Sequence, residues 1–397
     1  MGVCHSGMGG PSSTAAGWRC NSEPCIPGGC GFMKTTRGWM RQARRMVLAL
    51  AGAAMLMERG AVAETVLPSP PLFEPLEITE VAAGNVPTFP APMWTAYGLT
   101  DALFWGRDNQ ASGRPLVTSV GDGAPLVTAR DAQFPFSEGV RAFYGQRQPC
   151  EHGWELGYFG VYGQAATATV GSLGSQQFLQ FPEPIGDVLT ADGEVASFRY
   201  TSVINSAEAN VFRTWTEWRT PSGAWRTVDW LMGFRYVGVE ESAAVDVLCC
   251  LEESGTYRSV PYGVKTRNNM FGAQVGNRTR WTWERWAFEG WAKAGILGNA
   301  QEQIQLQLVD YTGFVQRPAL SSTGGVVSFI GDINLSAIYR LTDIWGIRAG
   351  YNLIWIDGLA LAPNQFDFAN VAGAGTGLSS GGGIFMHGAN LGLEARW

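Results

Sequence analysis

From about residue 94 onward, apolar side chains recur at every second position and long stretches of helical spacing are missing. This is the pattern of strands with two unlike faces. In VDWLMGFRYVGV, Val228, Trp230, Met232, Phe234 and Tyr236 share one face, while Asp229, Gly233 and Arg235 share the other. WELGYFGVYG sets Trp154, Leu156, Tyr158 and Tyr162 against Glu155 and Gly157, and WAFEGWAKAGI sets Trp286, Phe288, Ala292, Ala294 and Ile296 against Glu289 and Lys293. In VSFIGDINLSAIY the polar face carries Asp332, Asn334 and Ser336; in GIRAGYNLIW it carries Arg348 and Asn352.

A water-soluble β-sandwich alternates too, so the connections have to decide. Ten long strands are predicted, over residues 94–106, 137–146, 153–165, 198–217, 225–240, 262–281, 283–298, 326–340, 345–357 and 383–397. The loops after the first, third, fifth, seventh and ninth are long (107–136, 166–197, 241–261, 299–325 and 358–382). Those after the second, fourth, sixth and eighth are tight: RQPCEH, WRTPSGA, residue 282 alone and LTDI. Such a division marks an all-β fold: a closed antiparallel transmembrane up-and-down barrel with short periplasmic turns and long extracellular loops. EQIQLQLV also alternates. It is expected as a strand extension or small hairpin in the loop 299–325, because an eleventh spanning strand would reverse the order of loop lengths. Two positions resist the scheme: Asn205 falls on the apolar phase of its strand, and Asp101 falls in phase with Leu99 and Leu103.

The tryptophans test the topology separately. Trp94, Trp154, Trp218, Trp225, Trp281, Trp283, Trp345 and Trp397 all fall at strand ends that meet the short-turn side, as an aromatic girdle at a bilayer interface requires. On the last strand His387, Ala389, Leu391, Leu393, Ala395 and Trp397 share one face. Trp397 therefore reads both as a girdle residue of the closing strand and as a terminal aromatic recognised by the barrel-assembly machinery.

Composition narrows the picture further. The chain has 397 residues, 46% hydrophobic but only 16% charged, with 52 Gly and 16 Trp, which excludes a disordered chain. Beyond the N-terminal region no apolar run approaches the roughly 20 residues of a spanning helix, so a membrane role has to use strands. Residues 1–63 read as processing: Lys34, Arg37, Arg41, Arg44 and Arg45 precede the apolar run MVLALAGAAMLM and then ERGAVA, a signal peptide cleaved after Ala63. Translation is expected to start at Met33 or Met40, leaving the residues before it as an upstream extension that also holds Cys4, Cys20, Cys25 and Cys30. Residues 64–93 are Pro-rich and aperiodic, an extended leader, and 94–397 form the barrel. Taking seven basic and two acidic side chains of residues 1–63 from a chain of net charge −6 leaves about −11, which argues against nucleic acid as a partner.

FSEGVRAFYG, GWELGYFGVYG, DWLMGFRYVGVEE, TRNNMFGAQVGNRTRW, WAFEGWAKAGILG and INLSAIYRLTDIWGIRAGYNLIW, in that order, resemble the planctomycete-type putative beta-barrel porins, the seventh family of that name. The resemblance implies a bacterial outer-membrane barrel embedded in outer-membrane lipid, with a porin role and no catalytic residues. The stretch YTGFVQRPALSSTGG at 311–325 departs from the family's usual loop residues, so no loop function is carried over.

Chemistry is sparse. Beyond residue 63 the histidines are His152, in a turn, and His387, on the lipid-facing phase, so a hydrolase triad or a His-based metal site in the interior has no imidazole unless a bulge turns His387 inward. No metal or cofactor is expected. The inward phase carries Arg141, Arg235, Lys293 and Arg348 against Glu155, Glu208, Asp229, Glu289, Asp332 and Glu394. These residues could line a solute path. Their mixed signs fit salt bridges filling a narrow interior better, and Phe143 and Met386 add bulk on the same phase. AGAGTGLSSGGG at 372–383 lacks the Lys-Ser/Thr ending of a phosphate loop and reads as a flexible outer loop. Cys249 and Cys250 are adjacent loop thiols. Two function classes follow: a porin or narrow channel with restricted conductance, and a structural or surface-recognition barrel whose outer loops bind a ligand.

Overall fold

The structure, a computed structural model, describes residues 96–148, 152–174, 177–190, 192–221, 223–249 and 257–397. The readings made for residues 1–93, for Trp94 and for Cys150 and Cys250 lie outside the described residues. Ten strands close into an antiparallel barrel: β1 (Ala96–Arg107), β2 (Ser137–Arg147), β3 (His152–Gly171), β4 (Val195–Arg219), β5 (Trp225–Cys249), β6 (Arg258–Trp283), β7 (Trp286–Gln305), β8 (Leu320–Arg340), β9 (Trp345–Leu359) and β10 (Gly382–Arg396). Each pairs with its sequence neighbour, and β1 closes on β10 in a register running from Tyr97 opposite Arg396 to Arg107 opposite Met386. The closure is completed by reciprocal backbone bonds between Ala96 and Trp397, at 2.9 and 3.0 Å. Closure leaves no edge with unpaired backbone groups, which the hydrocarbon layer would not tolerate.

All ten expected strands are present, but β3 to β8 run further toward the long-loop end than the sequence pattern indicated. The reason is an inversion of phase. In the short-turn half, apolar side chains point outward: Met232 and Phe234 are 60% and 74% exposed, whereas Asp229 and Arg235 are each 3%. Above Glu240 the same strand turns Ala243, Val245 and Val247 inward, each fully buried. The outer wall becomes charged at the same height, where Arg267 reaches Glu240 at 3.1 Å and Glu302 at 3.9 Å. An exposed ionic cluster does not sit in lipid, so the inversion marks where the wall leaves the apolar layer. EQIQLQLV divides accordingly: its first part extends β7, and Leu308–Val309 pairs with Val315–Arg317 as a small hairpin.

The tight connection after β6 also shifts. It is Glu284–Arg285, not residue 282, and Trp283 pairs with Trp286 across it. Glu284 takes a left-handed conformation (φ 50°), which a two-residue hairpin turn demands.

Outer loops cover the long-loop end. Pro115–Ser119 pairs with both Pro125–Thr128 and Leu179–Gln180 in a three-stranded sheet, helix α1 spans Gly186–Leu189, and a 3-10 turn covers Ala362–Gln365. Their apolar residues, among them Leu116, Leu179, Phe181 and Phe366, pack on the inverted inner face of β4 to β6 at Phe198, Val245 and Tyr262.

Candidate functional site

The barrel interior is the candidate site, and all ten residues expected to line it point inward and are buried: Arg141, Glu155, Glu208, Asp229, Arg235, Glu289, Lys293, Asp332, Arg348 and Glu394. They belong to one network. At the waist Lys293 Nζ lies 2.6 Å from Glu208 and 3.6 Å from Glu155, and Arg235 donates to Asp332 at 3.1 Å and to Ser206 at 2.9 Å. Arg141 forks onto Asp101, with Nε at 2.9 Å, and donates to Asn352 at 2.5 Å. Toward the short turns, Glu289 and Glu394 are shared among Arg280, Arg348 and Arg396 at 2.6–3.4 Å. Arg278 bridges Glu155 at 2.6 Å and Asp229 at 3.1 Å.

Several members went unread in the sequence although the signal was present. Arg278 and Arg280 stand opposite in phase to Trp281 and Trp283, and Trp291 shares its phase with Glu289 and Lys293. Trp291 is the centre of the waist: the guanidinium carbons of Arg141 and Arg348 and the ammonium of Lys293 lie 4.9, 5.2 and 5.3 Å from the centroid of its ring. Its Nε1 donates to Asp332 at 3.3 Å. Asp101 is resolved as well. The whole inward face of β1, from Tyr97 through Leu99, Asp101 and Leu103 to Trp105, is buried, so Asp101 shares its phase with apolar residues because these too fill the lumen. Glycines make room for the rings: a Cβ at Gly145 or Gly157 would come within 2.4 Å of Tyr97 or 2.3 Å of Phe143.

Among the described residues, eight cations (Arg141, Arg147, Arg235, Arg278, Arg280, Lys293, Arg348, Arg396) meet seven carboxylates (Asp101, Glu155, Glu208, Asp229, Glu289, Asp332, Glu394) in this interior. The signs are interleaved rather than sorted into rings, so the layer has no single-sign ring to select a passing cation or anion. A cavity of about 10 Å³ remains beside Tyr97, Phe143, Glu155, Arg278, Trp291 and Lys293, about the space of one water. Below, a vestibule of about 300 Å³ bordered by Arg280, Arg340, Asp343, Glu394, Arg396 and Trp397 opens at the short-turn end.

Above the ionic layers lies an apolar belt of buried side chains that includes Leu103, Phe159, Val237, Met270, Leu297 and Ile354. Above the belt, inward amides hold the end of β9 and the loop 360–381. Asn299 and Gln301 both donate to the Gly358 carbonyl at 2.9 Å, Gln303 to those of Gly375 and Gly377 at 2.8 and 2.5 Å, and Gln305 to that of Gln365 at 2.9 Å. Asn268 donates to the Ala360 carbonyl at 3.0 Å and accepts from its N–H at 2.8 Å.

On the outside, Trp154, Trp218, Trp225, Trp281, Trp283, Trp345 and Trp397 all sit at the short-turn end, joined there by Trp215 and Trp286. At the opposite limit of the apolar band, tyrosine hydroxyls meet outward polar side chains. Tyr158 and Tyr162 reach Asn205 at 2.8 and 3.1 Å, Tyr236 reaches Asn269 at 3.0 Å, and Tyr351 reaches His387 at 2.6 Å. Asn205 thus lies on the apolar phase because that face becomes interfacial at its height.

A closed ten-stranded barrel with an apolar outer band, a tryptophan rim and a polar, filled interior defines an outer-membrane β-barrel protein. The chain belongs to the Putative beta barrel porin-7 family, whose model matches residues 167–397, from the outer part of β3 through β10. No curated protein matches the chain. Solved structures with a similar course include the outer membrane protease OmpT from Escherichia coli (12% identity, 77% of this chain and 94% of that one, TM-score 0.42). A deletion mutant of the monoaromatic hydrocarbon channel TodX (10%, 77% and 91%, 0.23) and a FadL homologue of Pseudomonas aeruginosa (9%, 76% and 88%, 0.17) are further examples.

Proposed function

We propose that this barrel is a narrow channel of restricted, gated conductance, closed in the state described. The observation that carries the reading is the interior, where ionic layers, apolar belt and loop plug lie in series. Ten strands stand near the small end of the barrel series: about eight leave an interior that side chains fill, and about 16–18 leave an aqueous channel. The Gly-rich part of the plug is held by neutral amide bonds from Gln303, which can break and re-form without stranding a buried charge, whereas its root is tied to Arg317 and Glu241. In this reading residues 1–63 direct export, 64–93 form the leader, and the assembly machinery and outer-membrane lipid are the partners. No catalytic role is proposed: His387 faces lipid against Tyr351, and His152 opens β3.

Refolded protein spanning residues 64–397 in planar bilayers should give at most small, gated steps. Because the three barriers lie in series, conductance should rise clearly only when Arg235, Lys293, Leu103 and Phe159 are replaced by Ala together and Gln303→Leu frees the plug. A large, steady conductance from the unmodified protein would refute the proposal. The tall charged wall and packed outer cap favour, as a second reading, a surface-recognition barrel; silence of every variant would select it.

A further inference from the structure

Between the tryptophan rim and the level of Asn205, the lipid-facing wall holds apolar, aromatic, small and a few neutral polar side chains. Among the described residues it holds two ionised side chains, Glu138 on β2 at its upper limit, opposite Phe104, and Arg213 on β4 near the rim. Arg213 is exposed, with Cα partners His152 on β3 and Trp230 on β5. On the same face of its own strand lie Val211, 56% exposed, on the apolar side and Trp215, 74% exposed, on the rim side. Every cation of the ionic layers has a carboxylate, yet no described residue forms an ion pair or hydrogen bond with Arg213. Arginine on a lipid face costs about 2–4 kcal/mol at mid-bilayer and about 0–1 near the interface, so this position is tolerable where the guanidinium reaches an oxyanion at the rim.

A second cation marks where that oxyanion would be. Arg226, four residues along β5 from Trp230 and so roughly 13 Å away, lies between the rings of Trp218 and Trp281, at 4.7 and 5.0 Å from their centroids. Its Nε is buried without a partner. Among the described residues the lipid face between the two arginines carries Trp215, Thr216, Val228 and Trp230, with no carboxylate. Two guanidiniums bracketing an indole-lined strip at headgroup depth match a phosphate, which a guanidinium fork engages with two parallel bonds. The apolar strip above, with Val211, Met232 and Phe234 exposed, matches acyl chains.

We propose that Arg213 and Arg226 hold the phosphate of a phospholipid in the leaflet on the short-turn side. The site is independent of whether the lumen conducts. To test it, delipidated barrel in neutral detergent is titrated with dioleoylphosphatidylglycerol or with dioleoylglycerol, and retained lipid is counted by native mass spectrometry. One phosphatidylglycerol should bind about tenfold or more tightly than the diacylglycerol, in line with the roughly 1.5–3 kcal/mol of a hydrogen bond to a charged group. Arg213→Gln should abolish the difference, and Arg213→Lys should keep part of it. Heat-dependent gel mobility shows that each variant is folded. Equal retention of the two lipids, or an unchanged preference in folded Arg213→Gln, would overturn the site. Displacement by sn-glycerol 3-phosphate at the lipid's own concentration would overturn the lipid assignment.

Discussion

Replacing Arg235 on one side of its ion pair tests whether the interior is a set of paired charges or merely a set of polar side chains. Its guanidinium donates to Asp332 at 3.1 Å and to Ser206 at 2.9 Å, and lies 5.5 Å from the ring centroid of Phe159 at the foot of the apolar belt. At the 3.1 Å between Arg235 and Asp332, and with an effective dielectric of about 20, the Coulomb attraction is about 5 kcal/mol before desolvation is counted. In Arg235→Met the Asp332 carboxylate keeps the Trp291 indole at 3.3 Å but loses its cation, so the variant should be destabilised by about 3–5 kcal/mol. Asp332→Leu should cost about as much, because it strands the guanidinium. The double variant removes both charges and fills the space with apolar atoms, so it should lie within about 2 kcal/mol of the parent, since buried pairs replaced by apolar residues are often neutral or better. Urea unfolding of the barrel in lipid vesicles, followed by tryptophan fluorescence, measures all four corners of this cycle. Single variants that each cost less than about 1 kcal/mol, or that sum to the double variant, would refute the pairing argument.

Three further outcomes are expected. With Cys150, Cys249 and Cys250 replaced by Ser, a cysteine at Leu173 or Val371 should react with an impermeant maleimide on intact cells and one at Thr220 should not; reversed labelling would invert the orientation. Gln303→Leu removes two bonds to the carbonyls of Gly375 and Gly377, so limited proteolysis should cut within 370–381 several-fold faster while the barrel stays intact, and unchanged cleavage would mean that the amides do not hold the plug. In the outer hairpin, Asp310 accepts bonds from Thr312, Gln316 and the Phe314 N–H, which lower its pKa to about 2. A lowered folded-state pKa stabilises above the ordinary carboxylate range and is lost as pH falls through the folded value, so amide-exchange protection at Phe314 should persist at pH 5 and fade toward pH 2.

How far the sequence carries is decided by where its alternation stays unambiguous. Strands of the short-turn half are legible because Trp230, Met232 and Phe234 meet lipid while Asp229 and Arg235 meet the lumen, and lipid and polar lumen demand opposite side chains. Around Val237 and Val239 the contrast disappears, because the apolar belt turns valines inward as well. Beyond Glu240 the contrast returns with its sign reversed, which a reading tuned to apolar-out strands treats as loop. The inward charges were legible from phase, but their partners were not: Arg278 and Glu155 are 123 residues apart in sequence. Only closure of the barrel brings such groups together. Arg213 was hidden for the opposite reason, since a single charge on an apolar face has no period to announce it.

Unequal strand lengths explain why the seal takes the form it does. β4, β5 and β6 have 25, 25 and 26 residues, whereas β1 and β2 have 12 and 11 and β9 and β10 have 15 each. The wall is therefore tall along the middle strands and low where β9, β10, β1 and β2 adjoin. An inward-facing apolar surface at the height of Phe198, Val245 and Tyr262 cannot face water across that low side, so something must cover it. The connections that rise from the low strands, 108–136 after β1 and 360–381 after β9, supply the cover. Leu116 and Phe366 lie fully buried in that outer core, and Arg107 at the top of β1 reaches Glu241 at 2.5 Å on the tall side. Glu241 also accepts the Ala362 N–H at 2.9 Å, so one carboxylate ties the low rim, the loop and the tall wall together. The plug is thus fixed at its root by burial and ion pairing, and held toward its Gly-rich part by neutral amides such as Gln303. Motion that opens the outer end should begin in residues 370–381, on the low side of the wall. Because the apolar belt and the ionic layers lie beneath that segment, its displacement alone uncovers the outer chamber and leaves the membrane barrier closed.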